Sequence, residues 1–229
     1  MVLLVSFCAL AQGTGQTTSF SPAAPDSLWS LYQQKRNEGM SIFKGRQVMA
    51  GYPDIFGSGF FPYNQWEVGN VQYEGFWYYN QKLLYDVYRD EVLIAHPGGI
   101  PLALTNSRVQ AFSIKGHNFV NKAEAVGEMP AGIYQVMGDG KLKIYVRRSR
   151  IINDQIKDNV VERNFEDMFR YYAEMNGKVK RFTKQNQLLD FIGSHRQAIM
   201  QQVRSSGLKF RKHKDAVIAI IANTFNQLN

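Results

Sequence analysis

Between residues 48 and 148 apolar and polar positions follow a period of two. The runs are cut at the roughly nine-residue spacing of hairpin strands by clusters of Gly, Pro, Asn and Asp. Aromatic and β-branched residues fill the runs, as they do on half-buried pleated strands. Residues 81–88 and 91–95 flank the polar pair Arg89-Asp90, and His96-Pro97-Gly98-Gly99 breaks the chain before Ile100, Leu102 and Leu104 alternate. Asn106-Ser107 then leads into residues 109–114, which Lys115-Gly116 turns back. None of these links can hold a crossover helix, so neighbouring strands are expected to be antiparallel. The clearest hairpin spans residues 132–148, with Asp139-Gly140 expected to supply the positive φ angles of a tight turn. On its second strand Leu142, Ile144 and Val146 share one face, and Lys141, Lys143, Tyr145 and Arg147 the other. A slip of one residue would bury three cations, which fixes the register. Asn176-Gly177 marks another turn, between 169–175 and 178–182, although Phe165, Met168, Phe169 and Tyr172 also fit a helical face.

After Thr183 the period becomes helical. Leu188, Leu189 and Ile192 form a first stripe that stops at Gly193, with Thr183 as expected N-cap. Ser194 is placed to cap a second helix carrying Ile199, Met200 and Val203, and Asp215 a third carrying Val217, Ile220, Ile221, Phe225 and Leu228. Helices this short need a partner surface to be stable. The expected fold class is therefore α+β: an antiparallel β-meander over 46–182, as an open barrel or two-layer sheet, with a three-helix C-terminal cap over 183–229. Residues 12–45 read as a lead-in with a short helix at 26–38.

The first eleven residues change the picture of where the protein works. An apolar run from Val2 to Leu10, too short to span a bilayer, ends in Ala9-Leu10-Ala11 before polar Gln12. This predicts a signal peptide at 1–11 and an exported protein of the periplasm or cell surface. The one cysteine, Cys8, lies inside that leader, so the expected mature chain has no disulfide and no thiol chemistry. Charge is lopsided: residues 12–130 carry nine Lys/Arg against ten Asp/Glu, and residues 131–229 carry eighteen against nine. The basic half suits an anionic partner such as envelope glycan or lipid, or another envelope protein. Export argues against nucleic acid.

No catalytic or cofactor signature stands out. His96, His117, His195 and His213 show no metal-ligand spacing, and Gly57-Ser58-Gly59 is followed by Phe60-Phe61-Pro62 instead of a helix. Asp86, Asp90, Glu91, Glu67 and Glu74 lie in the aromatic region and would have to converge in pairs for glycoside hydrolysis. In the aromatic patch, Trp66, Val68 and Val71 are expected to face inward, and Tyr73, Trp77 and Tyr79 to be half-exposed. Aromatics on an open sheet face can stack on a sugar ring or a peptide. The binding candidates are thus Trp66, Tyr73, Trp77 and Tyr79 with the cations Lys141, Lys143, Arg147, Arg211 and Lys212. No catalytic residue, metal ligand or cofactor is assigned.

The stretch from Trp66 to Gly75, W-x-x-G-x-V-x-Y-x-G, continuing to a Tyr85-Asp86 strand, resembles exported proteins of unknown function common in Bacteroidetes-type bacteria. Gly132-Ile133-Tyr134-Gln135-Val136, the Asn176-Gly177 turn and the closing Leu208-Lys209-Phe210 are similar as well. The resemblance covers most of 46–229, implies export and this fold outline, and carries no activity. The expected function is a non-enzymatic envelope module that binds or scaffolds. The alternatives are a hydrolase acting on envelope glycan and a small-ligand or lipid carrier.

Overall fold

The computed structural model describes residues 41–157 and 160–229. The expected signal peptide and the short helix at 26–38 lie outside the described residues.

Fourteen strands follow a 3-10 turn at Ser41–Phe43: β1 (Arg46–Gln47), β2 (Phe60–Phe61), β3 (Glu67–Tyr73), β4 (Phe76–Asp86), β5 (Glu91–Ala95), β6 (Pro101–Ala103), β7 (Val109–Ile114), β8 (His117–Lys122), β9 (Gly132–Gly138), β10 (Leu142–Arg147), β11 (Arg150–Lys157), β12 (Val160–Asp167), β13 (Arg170–Met175) and β14 (Lys178–Phe182). Three helices close the chain: α1 (Gln185–Ile192), α2 (Arg196–Ser205) and α3 (Lys214–Gln227). Twelve strands form one open sheet in the order β1-β6-β5-β4-β3-β7-β8-β9-β10-β13-β14, with β2 alongside β4. Every pair in it is antiparallel.

The order is sequential except at one return, where β7 pairs with β3 instead of β6. Four strand spacings separate β6 from β7, about 19 Å in a flat sheet. The link 104–108 contains a 3-10 turn at Asn106–Arg108 and reaches only about 16 Å. The sheet must therefore curl between β3 and β6, and the curl encloses one apolar cluster. Phe112 and Phe119 stack at 4.6 Å inside it, with Tyr85 edge-on to both at 5.2 and 5.1 Å. Ile42, from the end of the lead-in, is fully buried in the same cluster.

On β9 the alternating residues Ile133, Gln135 and Met137 point to one side. Ile133 joins the core of the curl and Met137 packs with the helices, so one face of the sheet serves both halves. Leu142, Ile144, Val146, Tyr171 and Phe182 on that face bury Leu188, Leu189, Ile192, Ile199, Val203, Val217, Ile221 and Phe225 of the helical cap. Most of each stripe read from the sequence is buried, but Met200 and Ile220 are only half-buried, Leu228 is exposed, and Ile218 and Ala222 are buried in α3 instead. The caps differ. Gln187 reaches back to accept from the Thr183 and Lys184 backbone N–H groups at 2.8 and 3.0 Å, His195 precedes α2, and Asp215 lies within α3.

The turns expected at Lys115-Gly116 and Asn176-Gly177 adopt a left-handed pair of conformations. Asp139-Gly140 does not, because residues 139–141 make a wider link against α3. A Cβ on Gly140 would come within 2.6 Å of the Asn226 side chain. The helical alternative for the segment after Phe165 gives way to strand β13.

Strands β11 and β12 form a two-stranded sheet of their own, joined to the rest by a parallel bridge between Phe56 and Asn164. They form a ribbon that the sequence pattern did not announce. One ribbon face alternates Arg150/Asp167, Ile152/Phe165, Asp154/Arg163 and Ile156/Val161. Phe165 packs edge-on against Tyr52 and Tyr88 at the base. The outer residues are bare, Ile156 being 80% exposed and Val161 55%.

Candidate functional site

The curl brings the β4–β5 turn, the 3-10 turn and the ends of β8, β9 and β10 together at one end of the sheet. Asp90 occupies the β4–β5 turn at φ 58°. Its carboxylate accepts from the Tyr85 hydroxyl at 2.6 Å and from the Arg147 guanidinium at 3.0 Å. Arg147 also donates to the Ala131 carbonyl at 2.6 Å. The turn is pinned from behind: Asn106 donates to the Asp90 carbonyl at 2.7 Å, and Asn121 donates to the carbonyls of Asn106 and Val109 at 2.7 and 3.0 Å. These groups border an open cleft of about 450 Å³, also lined by Ser107, Gln110, Lys122 and Gly132.

Burial, reinforced by the neighbouring Asp90, pushes the Tyr85 hydroxyl well above its ordinary range, so it stays a neutral donor. Burial works against the charge of Arg147, but Asp90, Tyr134 and Tyr85 together outweigh it and hold the guanidinium above its ordinary value. Lys122 lies with Nζ 4.7 Å from the centre of the Tyr145 ring and 3.4 Å from its hydroxyl. No carboxylate stands within ion-pair reach of Lys122 among the described residues. The buried Oδ1 of Asn106 likewise has no hydrogen-bond partner among them.

Of the residues singled out from the sequence, only Asp90 and Arg147 line this cleft. Tyr73, expected half-exposed, is 1% exposed in the core of the curl. Val68, expected inward, is 62% exposed, because three positions separate it from buried Val71 and strand alternation puts the two on opposite faces. Trp66 packs on Phe60, Leu84 and Leu93. Trp77 and Tyr79 are half-buried with rings nearly parallel at 6.2 Å. Neither lines the cleft that Arg147 borders, and Lys143 does not line it either. The cationic face of β10 is largely covered: Tyr145 packs with Met129, Tyr134 and Tyr172, and only Lys141 stands fully exposed. Arg211 and Lys212 are exposed between α2 and α3, without acidic partners among the described residues.

The five carboxylates of the aromatic region share no partner with one another. Asp86 takes the Tyr52 hydroxyl and the backbone N–H groups of Tyr88 and Arg89; Glu67 pairs with Lys115, Glu74 with Arg108, Glu91 with Arg46 and Asp90 with Arg147. His96 accepts the N–H of Gly98 in its own loop, at 3.0 Å. His117 contacts Gln135 at 2.9 Å, and Gln135 in turn accepts from Arg148 at 2.8 Å. No group of three or more His, Cys, Asp or Glu able to hold a metal ion occurs among the described residues. Sequence reading missed Lys122, Asn121 and the role of Asp90. The visible signal was Arg89-Asp90 at a strand end, but Arg147 lies 57 positions away and only strand order joins the two.

Comparison of the chain with protein-family models, with curated proteins and with solved structures finds no match.

Proposed function

We propose that this chain is an exported, non-enzymatic binding module of the cell envelope, and that the cleft beside Asp90 and Arg147 is where it takes its ligand. The observation carrying this reading is the cleft itself, a polar recess whose walls are fixed by side-chain-to-backbone bonds from Asn106 and Asn121. Such pre-formed concave sites with a few converging polar groups are where small ligands bind. Binding is favoured over hydrolysis because each candidate carboxylate is already tied up by its own cation or hydroxyl. A carrier needs interior room, and Tyr85, Phe112 and Phe119 occupy the inside of the curl. A second surface has its own support: Lys209, Arg211 and Lys212 are exposed and without ion-pair partners among the described residues, which suits an anionic polymer or membrane surface.

Amide chemical-shift mapping tests the reading. The full chain is titrated with envelope polysaccharide and, separately, with anionic vesicles. Shifts centred on Asp90, Asn121, Lys122 and Gly132 are expected with the polysaccharide. Shifts confined to 209–214 would move the function to the basic loop, and product formation from the polysaccharide would overturn the non-enzymatic reading.

A further inference from the structure

Resting on that reading, we propose that the cleft recognises the carboxylate of an acidic sugar unit, held between Lys122 and Arg147 beside Gly132. Lys122 of β8 stands directly opposite Gly132 of β9 in the register. From the other side, the Arg147 side chain of β10 lies over the same glycine, where any Cβ would strike the guanidinium. The backbones of β8 and β10 are two strand spacings apart, about 10 Å. Two long cationic side chains thus flank Gly132, which lacks a side chain and so leaves room for the Arg147 guanidinium. Asp90 offsets only one of the two charges. Arg147 already donates to Asp90 and the Ala131 carbonyl and meets the Tyr134 side chain, but its planar fork has five N–H groups, so donors remain for a second carboxylate.

The remaining walls define what carries that carboxylate. Ser107, Gln110 and Asn121 offer neutral hydrogen-bonding groups, and Val109, Ala123 and Ala131 offer small apolar surfaces. A hydroxylated ring has both complements, hydroxyls for the first set and a C–H face for the second. An acyl chain has neither the charge nor the hydroxyls.

The test titrates the full chain with glucuronate, glucose and acetate, followed by amide shifts and calorimetry, and repeats the series on Lys122→Met. Glucuronate should move the amides of Lys122, Gly132 and Arg147 saturably. Glucose, lacking the carboxylate, and acetate, lacking the ring, should each bind about tenfold more weakly or worse. Lys122→Met should lose about tenfold for glucuronate and nothing for glucose, with its spectrum otherwise unchanged, which separates ligand loss from misfolding. Equal binding of glucose and glucuronate overturns the carboxylate, and equal binding of acetate overturns the sugar. If no probe binds while envelope polysaccharide still shifts the cleft, the ligand class falls and the binding reading stands. If neither moves the cleft, both fall.

Discussion

Arg148 is 98% withdrawn from solvent at its side chain, and its charge is met on every side. It donates to Asp215 at 2.7 Å and Gln135 at 2.8 Å, and its guanidinium lies 4.6 Å from the Phe169 ring centre and 5.2 Å from that of Phe61. Asp215 takes the Tyr171 hydroxyl as well, at 2.8 Å. His117 sits at the end of this chain, and burial together with the Arg148 charge holds its imidazole below the ordinary range. The unfolded chain therefore binds a proton at His117 before the folded protein does. Stability attributable to His117 is present above the ordinary imidazole pKa of about 6.5 and is lost as pH falls below it. Thermal midpoints of wild type and His117→Gln, which keeps an acceptor for Gln135, should agree near pH 8 and separate toward pH 5, wild type falling faster. Parallel curves would show that His117 titrates alike in both states. Alternation on β10 indicated that Arg147 faces away from the Ile144 side. It gave no hint that neighbouring Arg148 turns inward at the strand end to meet a carboxylate 67 positions on.

Elements were legible where one local rule decides them. Each hairpin with a left-handed residue pair, such as Asn176-Gly177, and each helical stripe of spacing three and four folds as its pattern says. Features that depend on two distant segments were not legible, and the 139–141 link shows why. Asn226 of α3 accepts the Leu142 N–H at 2.8 Å and donates to the Leu142 carbonyl at 3.0 Å, doing for that residue what a neighbouring strand would do. Gly138 and Gly140 let the helix approach, so Gly140 serves close packing instead of a tight turn. Asn226→Ala should cost about 1–3 kcal/mol, the range for leaving a buried donor and acceptor unpaired. Urea unfolding reads this directly, with the slope unchanged if the native fold is kept. A loss below about 0.3 kcal/mol would mean that water replaces the amide.

At the scale of the molecule, the body and the β11–β12 ribbon are differently held. The body holds its large apolar clusters, one inside the curl and one under the helices, on one sheet face. The ribbon is anchored only near its base, where Arg150 donates to the carbonyls of Ser58 and Phe60, Phe165 meets Tyr52 and Tyr88, and Phe56 exchanges backbone bonds with Arg163 and Phe165 at 2.8 and 3.0 Å. This division hid the ribbon from sequence reading: its strands alternate ion pairs with apolar pairs and so show no uninterrupted core-facing row. Asp154 and Arg163 stand directly opposite each other, so an Asn-Gly turn can join them in place of residues 155–162. That truncation removes Ile156, Val160 and Val161, which bury little of their surface against the body. The thermal midpoint should move by no more than about 2–4 °C, equivalent to about 1 kcal/mol for a chain of this size. Phe165→Ala, which strips the base of its aromatic contacts, should cost more, about 1–3 kcal/mol because Phe165 is only half-buried. Hydrogen exchange supplies the independent readout: amides outboard of Asp154 should exchange through local opening, and those of β4, β7 and β10 only through global unfolding. If truncation lowers the midpoint as far as Phe165→Ala does, the outer ribbon is part of the cooperative core and the two-part description fails.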